Sequence, residues 1–162
     1  MLGNKYKLAT DHERYMRRAI ELAQQAEQLG EVPVGALVVA DDQIIGEGFN
    51  EVIRLNDPSA HAEAQAIRAA GKELGNYRLV NTTLYVSLEP CAMCAGLITH
   101  ARIKTLVFGA SDPRTGAAGS AIHVLNHASM NHKVNIVGGV LQDESATLLQ
   151  DFFRKRRKNQ TD

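Results

Sequence analysis

The chain has 162 residues, of which 44% are hydrophobic, and its 18 acidic side chains balance 18 lysines and arginines. That length and apolar content predict a single globular domain over residues 1–162 with one continuous core. A net charge of zero gives no overall field that would favour a nucleic-acid partner. The sequence also has no apolar stretch typical of a signal peptide or a membrane span, so we expect a cytoplasmic protein with no membrane partner.

The first part of the chain predicts an amphipathic helix followed by a β-hairpin. A capping-box pattern at Thr10 marks the start of the helix, and apolar residues recur at helical spacing up to Gly30. Two runs that contain β-branched residues follow at 34–40 and 43–49. The two aspartates between these runs predict a tight turn, and hence an antiparallel pair of strands.

The middle of the chain predicts a helix, a strand and a second helix. The first helix is alanine-rich, spans residues 60–74 and ends at Gly75. A β-rich run over 83–88 leads into the next helix, at 91–101. Positions 61 and 63 then lie in the first turn of the alanine-rich helix. In the interior of a helix, residues two apart point about 200° away from each other, whereas in the first turn both can face one site.

The last part of the chain predicts two more strands and a terminal helix. The strands span 103–109 and 134–137, a glycine-rich loop covers 111–120, and the helix spans 143–158. Alternation of strands and helices after the hairpin predicts an α/β fold. We therefore expect a three-layer α/β/α sandwich around a mixed five-stranded sheet.

The chain has only two cysteines, Cys91 and Cys94, and Cys91 lies thirty residues after His61. Cysteines three apart on a helix suit shared metal coordination better than a disulfide. Two thiolates and one imidazole make the three-ligand set of a catalytic zinc, which leaves the fourth position open for water. Glu63 lies beside His61 without being needed as a ligand, so we predict that it moves protons at that water.

Two other interpretations of the cysteines stay open. The C-x-x-C pair is also typical of redox-active sites. Alternatively, Cys91 and Cys94 could combine with His123 and His127 in a closed, four-ligand structural zinc site. The spacer between the two pairs has 28 residues, against about 12 to 15 in a zinc finger. That length disfavours the structural site.

Several motifs resemble a known family. His61-Ala62-Glu63 followed by Pro90-Cys91-Ala92-Met93-Cys94 resembles the zinc-dependent nucleoside and nucleobase deaminase superfamily, whose motif has that order. Further segments resemble the bacterial tRNA-specific adenosine deaminases within this superfamily, and the similarity covers roughly residues 11–157. These segments are 32–36, 46–50, 76–79, 84–90, 108–112, 115–120 and 148–154.

The resemblance implies a cytidine deaminase-like fold and a defined activity, the hydrolytic deamination of adenosine to inosine at the wobble position of tRNA anticodons. His61, Cys91 and Cys94 would hold one zinc ion per subunit, and Glu63 would carry protons between water, the purine ring and the departing ammonia. The family is homodimeric, so the expected partners are a second subunit and a tRNA anticodon stem-loop. A deaminase of a free base or nucleotide stays the alternative, because it shares the zinc motif.

The resemblance also implies contacts with the RNA. Asn50 and Asp112 match family positions that contact the target nucleotide and its neighbour, and Phe153 matches an aromatic residue near the bound loop. A basic run at 154–158 follows directly. These cations could contact tRNA phosphates or could form the solvated end of a helix, and the sequence leaves both interpretations open.

Overall fold

The computed structural model describes the backbone of residues 2–160 and the side chains of residues 11–160. Its strands are β1 (Gly35–Ala40), β2 (Gln43–Phe49), β3 (Thr83–Leu88), β4 (Thr105–Ala110) and β5 (Asn135–Val137). They form one five-stranded sheet in the order β2-β1-β3-β4-β5. β1 is antiparallel to β2 and β3, whereas the β3–β4 and β4–β5 pairs are parallel. The prediction of a mixed sheet is confirmed.

Helices cover both faces of this sheet. They are α1 (Leu2–Gln28), α2 (Val52–Leu55), α3 (Ala62–Leu74), α4 (Ala92–His100) and α5 (Gln142–Gln160). Successive residues of β1 point to opposite faces. Ala36 and Val38 pack with α3 and α4 in one core cluster, while Leu37 and Val39 pack with α1 in a second cluster. This arrangement confirms the predicted three-layer α/β/α sandwich.

Two glycines of β2 let α3 lie unusually close to the sheet. A Cβ atom at Gly46 would come within 2.5 Å of the Ala66 carbonyl oxygen, and one at Gly48 within 2.7 Å of the Ala62 carbonyl oxygen. Real Cβ atoms do not approach other heavy atoms so closely, so only glycine fits at either position. The two glycines therefore fix the depth of α3, and with it the position of its first turn.

The hairpin formed by β1 and β2 turns where the sequence predicts. Asp41 and Asp42 have positive φ angles of 49° and 59°. Two residues in this conformation make the type I′ turn that suits the twist of a two-residue hairpin, and aspartate tolerates it better than most residues do.

Two helices differ from the prediction. α1 begins at Leu2, so Thr10 lies inside the helix and the capping-box interpretation is wrong. The residues before Thr10 include lysine, leucine and alanine, which favour continuation of a helix. α2 was not predicted, because four residues are too few to show a helical period. Within residues 2–160, no helix is both long and apolar enough to cross a membrane.

Candidate metal centre and catalytic cavity

The topology brings the predicted site residues to one end of the sheet, the edge at which β3 and β4 have their carboxyl ends. β3 ends shortly before Cys91, and β4 ends shortly before Asp112. Because β1 is antiparallel to both of its neighbours, Val34 and Asn50 lie at the same edge. Ligands of open α/β sheets bind outside the carboxyl ends of the parallel strands. The strand order alone therefore places a binding site at this edge.

The three predicted metal ligands lie at the starts of two helices. His61 is the N-cap residue of α3 and Cys91 is the N-cap residue of α4, both with extended backbone, while Cys94 lies in the first turn of α4. Among the contacts of the described residues, neither cap side chain makes the usual capping hydrogen bond to its own helix. Both side chains are therefore available to a ligand held between the two helix starts.

The ligand atoms have the separations of a tetrahedral site. His61 Nδ1 lies 3.7 Å from Cys91 Sγ and 3.6 Å from Cys94 Sγ. With standard zinc–sulfur and zinc–nitrogen bond lengths, a tetrahedral ion would separate such atoms by about 3.6 Å. Among the side chains of residues 11–160, these three form the one group of three or more metal-ligating residues whose ligand atoms all lie within 4.8 Å of one another. His123 and His127 do not belong to it, so the described residues do not form the four-ligand structural site.

Hydrogen bonding within this cluster separates the acidities of its two thiols. Hydrogen bonds with Cys94 and His61 lower the pKa of Cys91 to about 3. The shared hydrogen bond with Cys91, together with burial, raises the pKa of Cys94. The hydrogen bond with Cys91 also raises the pKa of His61. The lowered pKa favours the thiolate form of Cys91, and thiolate is the form of cysteine that binds metal.

Glu63 lies next to the cluster but outside it. Its side chain is 4% exposed and lines a cavity of about 400 Å³ together with His61 and Cys91. Burial raises the pKa of Glu63 to about 7. A cavity of this volume is within the range of small-ligand sites. The structure thus places a buried carboxylate and a three-donor cluster at one cavity, as the sequence predicts.

Asn50 and Asp112 line the same cavity, where each is fixed by its own hydrogen bonds. Asn50 Oδ1 accepts from the amide of Ala62 at 2.8 Å, and Asn50 Nδ2 donates to the carbonyl of Val32 at 3.1 Å. The Asp112 carboxylate accepts from the amide and the hydroxyl of Thr115 at 3.1 and 2.8 Å. Both side chains are therefore held in position at the cavity wall.

Phe153 lies in a neighbouring groove. It is 39% exposed and lines a space of about 640 Å³ with Asp112 and Arg157. The groove shares Val32, Leu88, Asp112 and Thr115 with the cavity that Glu63 lines, so the two spaces adjoin. From the basic run, Arg156 lines the cavity and Arg157 lines the groove.

Comparison with known proteins identifies the family. Residues 10–157 match the model of the MafB19-like deaminases. The chain is 56% identical to the tRNA-specific adenosine deaminase of Haemophilus influenzae over 147 residues, which cover 90% of this chain and 85% of that protein. It is 44% identical to the tRNA-specific adenosine deaminase of Bacillus subtilis, with 92% of each chain covered. The chain belongs to the tRNA-specific adenosine deaminase family.

Solved structures agree with this family assignment. One comes from a study of A-to-I editing by tRNA:A34 deaminases at the wobble position of transfer RNA. It has a TM-score of 0.82 and 40% identity, and the match covers 84% of this chain and 99% of that one. A guanine deaminase from Nitrosomonas europaea matches with a TM-score of 0.76 and 22% identity, over 86% of this chain and 83% of that one. At that identity the likeness shows the shared deaminase fold.

Sequence reasoning missed two buried carboxylates of this family member, Glu31 and Glu89, which both line the cavity. Glu31 accepts hydrogen bonds from the amides of Ile53 and Arg54, at 3.0 and 2.9 Å, and so holds the start of α2. Glu89 accepts hydrogen bonds from the loop after β4. Glu89 could have been noticed, because it is an acidic residue directly after an apolar strand and directly before Pro90-Cys91.

Proposed function

We propose that this chain hydrolyses adenosine to inosine at the wobble position of tRNA anticodons. The observation that carries the proposal is the cluster of His61, Cys91 and Cys94 beside the buried Glu63 carboxylate at one cavity. The relatives support the choice of substrate, since they are tRNA-specific adenosine deaminases at up to 56% identity in the matches given above. We also propose that residues 1–162 act as one deaminase domain.

We propose zinc as the metal, held by His61, Cys91 and Cys94. Thiolate and imidazole donors suit zinc, and three protein ligands leave one coordination position open, as catalytic zinc sites do. The separations of the donor atoms fit this ion. When bound, zinc lowers the pKa of a coordinated water, so that a nucleophile is available near neutral pH.

Glu63 then acts as the proton carrier of the reaction. Water adds to C6 of the adenine, and the Glu63 carboxylate takes a proton from the water and delivers it to the purine ring. Glu63 then takes the proton of the new C6 hydroxyl and passes it to the exocyclic nitrogen, so that ammonia departs as the C6–N bond breaks and the C6 carbonyl of inosine forms. Burial suits this role, because it keeps bulk water away from the proton transfers.

Asn50, Asp112 and Phe153 bind the RNA in this proposal. Asn50 Nδ2 has a second N–H beyond the one it donates to Val32, and this hydrogen can reach a nucleotide in the cavity. Asp112 lies where the cavity meets the groove, so it can contact the target nucleotide and its neighbour. Phe153 offers an exposed ring on which an unstacked base of the anticodon loop can pack.

We further propose that the enzyme is a cytoplasmic homodimer. The substrate supports the location, since tRNA is a cytoplasmic molecule. Apolar side chains at the surface support the second subunit, because Tyr77 is 70% exposed and lines one surface space together with Ile67 and Leu97. A protein surface that shows large apolar side chains close together is typical of an interface.

The proposed function is tested by comparing tRNA with free nucleosides and a free base as substrates. The purified protein is incubated with a tRNA that has adenosine at the wobble position, with the same tRNA carrying guanosine there, and separately with free adenosine, cytidine and guanine. We expect inosine in the first tRNA alone. Turnover of only a free base or nucleoside would instead establish the alternative, a deaminase of small substrates.

A further inference from the structure

Glu89 lies where the loop that carries Cys91 meets the loop after β4, residues 111–120. Its side chain is 3% exposed and lines the catalytic cavity. Its carboxylate accepts hydrogen bonds from several donors of the 111–120 loop. These donors are the amides of Asp112 at 3.2 Å, Ala118 at 3.0 Å and Ser120 at 3.1 Å, and the hydroxyl of Ser120.

The 111–120 loop packs tightly onto this carboxylate. A Cβ atom at Gly116 would lie 2.5 Å from Glu89 Cδ and 2.5 Å from the carbonyl oxygen of Asp112. The next amide, that of Ala117, donates to the carbonyl of Pro90 at 2.8 Å. The loop is therefore fastened to the Glu89 side chain and to the backbone directly before Cys91.

These hydrogen bonds determine the position of the cavity wall that the 111–120 loop forms. Asp112 and Thr115 belong to the 111–120 loop and line both the cavity and the groove beside it. The amide and the hydroxyl of Thr115 donate hydrogen bonds to the Asp112 carboxylate, which holds the two residues together. Ala117 of this loop is fully buried in the core and Ala118 packs against it, so the position of the other loop residues depends on such hydrogen bonds.

We infer that Glu89 is a positioning residue that fixes the 111–120 loop against the metal-ligand loop, and so sets the distance between the metal centre and the substrate-binding wall. The expected change in KM on tRNA rests on the proposed function, whereas the hydrogen bonds that hold the loop are a property of the fold. Preorganisation of this kind lowers the cost of binding and orienting a substrate, because the wall need not be ordered when RNA arrives.

The test replaces Glu89 by glutamine, which keeps the shape but turns one acceptor oxygen into an NH₂ donor that faces loop donors. We expect the amides of Asp112, Ala118 and Ser120 to exchange hydrogen at least about tenfold faster, since each loses a buried charged partner. Zinc content should equal that of the parent. On tRNA, kcat/KM should fall roughly 10- to 100-fold, with a raised KM.

Tyr85→Phe serves as the control for a loss of stability. It removes a hydrogen bond of 2.7 Å between the Tyr85 hydroxyl and His12 on the α1 face of the sheet. We expect a lower melting temperature, with amide exchange in the 111–120 loop and KM equal to those of the parent. A destabilised but correctly shaped enzyme loses active fraction, which lowers the apparent kcat and leaves KM unchanged, so KM separates positioning from general stability.

Ser120→Ala is the second variant, in case Glu89→Gln does not fold. It removes one donor to Glu89 and should change exchange and KM in the same direction by a smaller factor. Unchanged exchange in the 111–120 loop of Glu89→Gln, or of Ser120→Ala if the first variant is unfolded, would overturn the inference. Loss of zinc from Glu89→Gln would also overturn it. A parent protein that forms no inosine on tRNA would refute the proposed function, while amide exchange would still decide the role of Glu89.

Discussion

His61 and Glu63 are two positions apart in the sequence and have different surroundings. The imidazole of His61 lies within 3.7 Å of both thiol sulfurs. Glu63 is buried beside this cluster and lines the cavity, outside the group of ligand atoms that the described residues form. The start of α3 thus brings a candidate metal ligand and a buried carboxylate to one cavity, for which we propose separate tasks.

Replacement of Glu63 by glutamine should therefore separate catalysis from metal binding. We expect about one zinc ion per chain to remain bound, because the carboxylate is not a ligand. Deamination should slow by about 10² to 10⁴-fold, which is the usual contribution of general acid–base catalysis. Zinc is measured by elemental analysis and the rate by inosine formation. Zinc loss from this variant would show that the assignment of roles is wrong.

Variants of the histidines should behave differently from the Glu63 variant. His61→Ala should lose both zinc and thermal stability, since metal binding is coupled to folding. His127→Ala should keep the zinc of the parent. His127 Nδ1 accepts a hydrogen bond from the amide of Ser129 at 3.1 Å and is not part of the ligand group.

The sequence predicts which three side chains cluster, because their chemistry is specific. Two cysteines and a histidine in that order suit few sites other than a zinc site, and the helix starts at positions 61 and 91 follow from local patterns. Glu31 and Glu89 could not be assigned in this way. Their partners lie more than twenty positions away in the chain, at Ile53 for the first and at Asp112 for the second. Such pairings depend on the tertiary fold.

At the scale of elements, the position of the site depends on how closely α3 lies against β2. The glycines of β2 provide this closeness, since a Cβ atom at Gly48 would lie 2.6 Å from the amide nitrogen of Ala66 and 2.7 Å from the carbonyl of Ala62. Both contacts are with backbone atoms of α3, which cannot rotate away as a side chain can. Ala62 directly follows His61, the proposed metal ligand.

Gly48→Ala should therefore destabilise the protein, by about 1–3 kcal/mol, because the helix must move to admit the methyl group. Gly71→Ala is a matched control within α3. Its Cβ would lie 3.5 Å from the nearest atom, an ordinary contact, so it should stabilise the protein by about 0.5–1 kcal/mol through helix propensity. Chemical denaturation measures both changes. Equal effects of the two substitutions would contradict this account of the helix position.

The differences between the predicted and the observed helices and strands also have physical causes. The hairpin and β3 follow from alternating patterns and turn residues, and the structure has β2 and β3 at the predicted positions. α2 has only four residues and is held by the buried Glu31 carboxylate rather than by its own period. A short segment stabilised by a distant side chain leaves no local signal in the sequence.

At the scale of the whole molecule, a net charge of zero hides an uneven distribution of cations. Arg156 lines the catalytic cavity and Arg157 lines the groove beside it. Lys104 and Lys133, by contrast, precede β4 and β5 and lie near the amino ends of these strands, away from the edge that holds the site. Two pairs of equal charge thus occupy opposite ends of the sheet.

The double substitution of Arg156 and Arg157 by glutamine should weaken tRNA binding far more than the same substitution of Lys104 and Lys133. Each phosphate contact that is lost should flatten the slope of log affinity against log salt by roughly 0.7 to 0.9. The arginine variant should stay folded because Leu148 and Leu149 still pack α5 against the core, and the lysine variant because Lys104 and Lys133 are exposed. Affinity is measured at several salt concentrations for the parent and the two variants, which have the same net charge. Equal affinities and slopes in the two variants would show that the basic run is a solvated helix end, whereas a change confined to the arginine pair would place the tRNA backbone along the cavity and the groove.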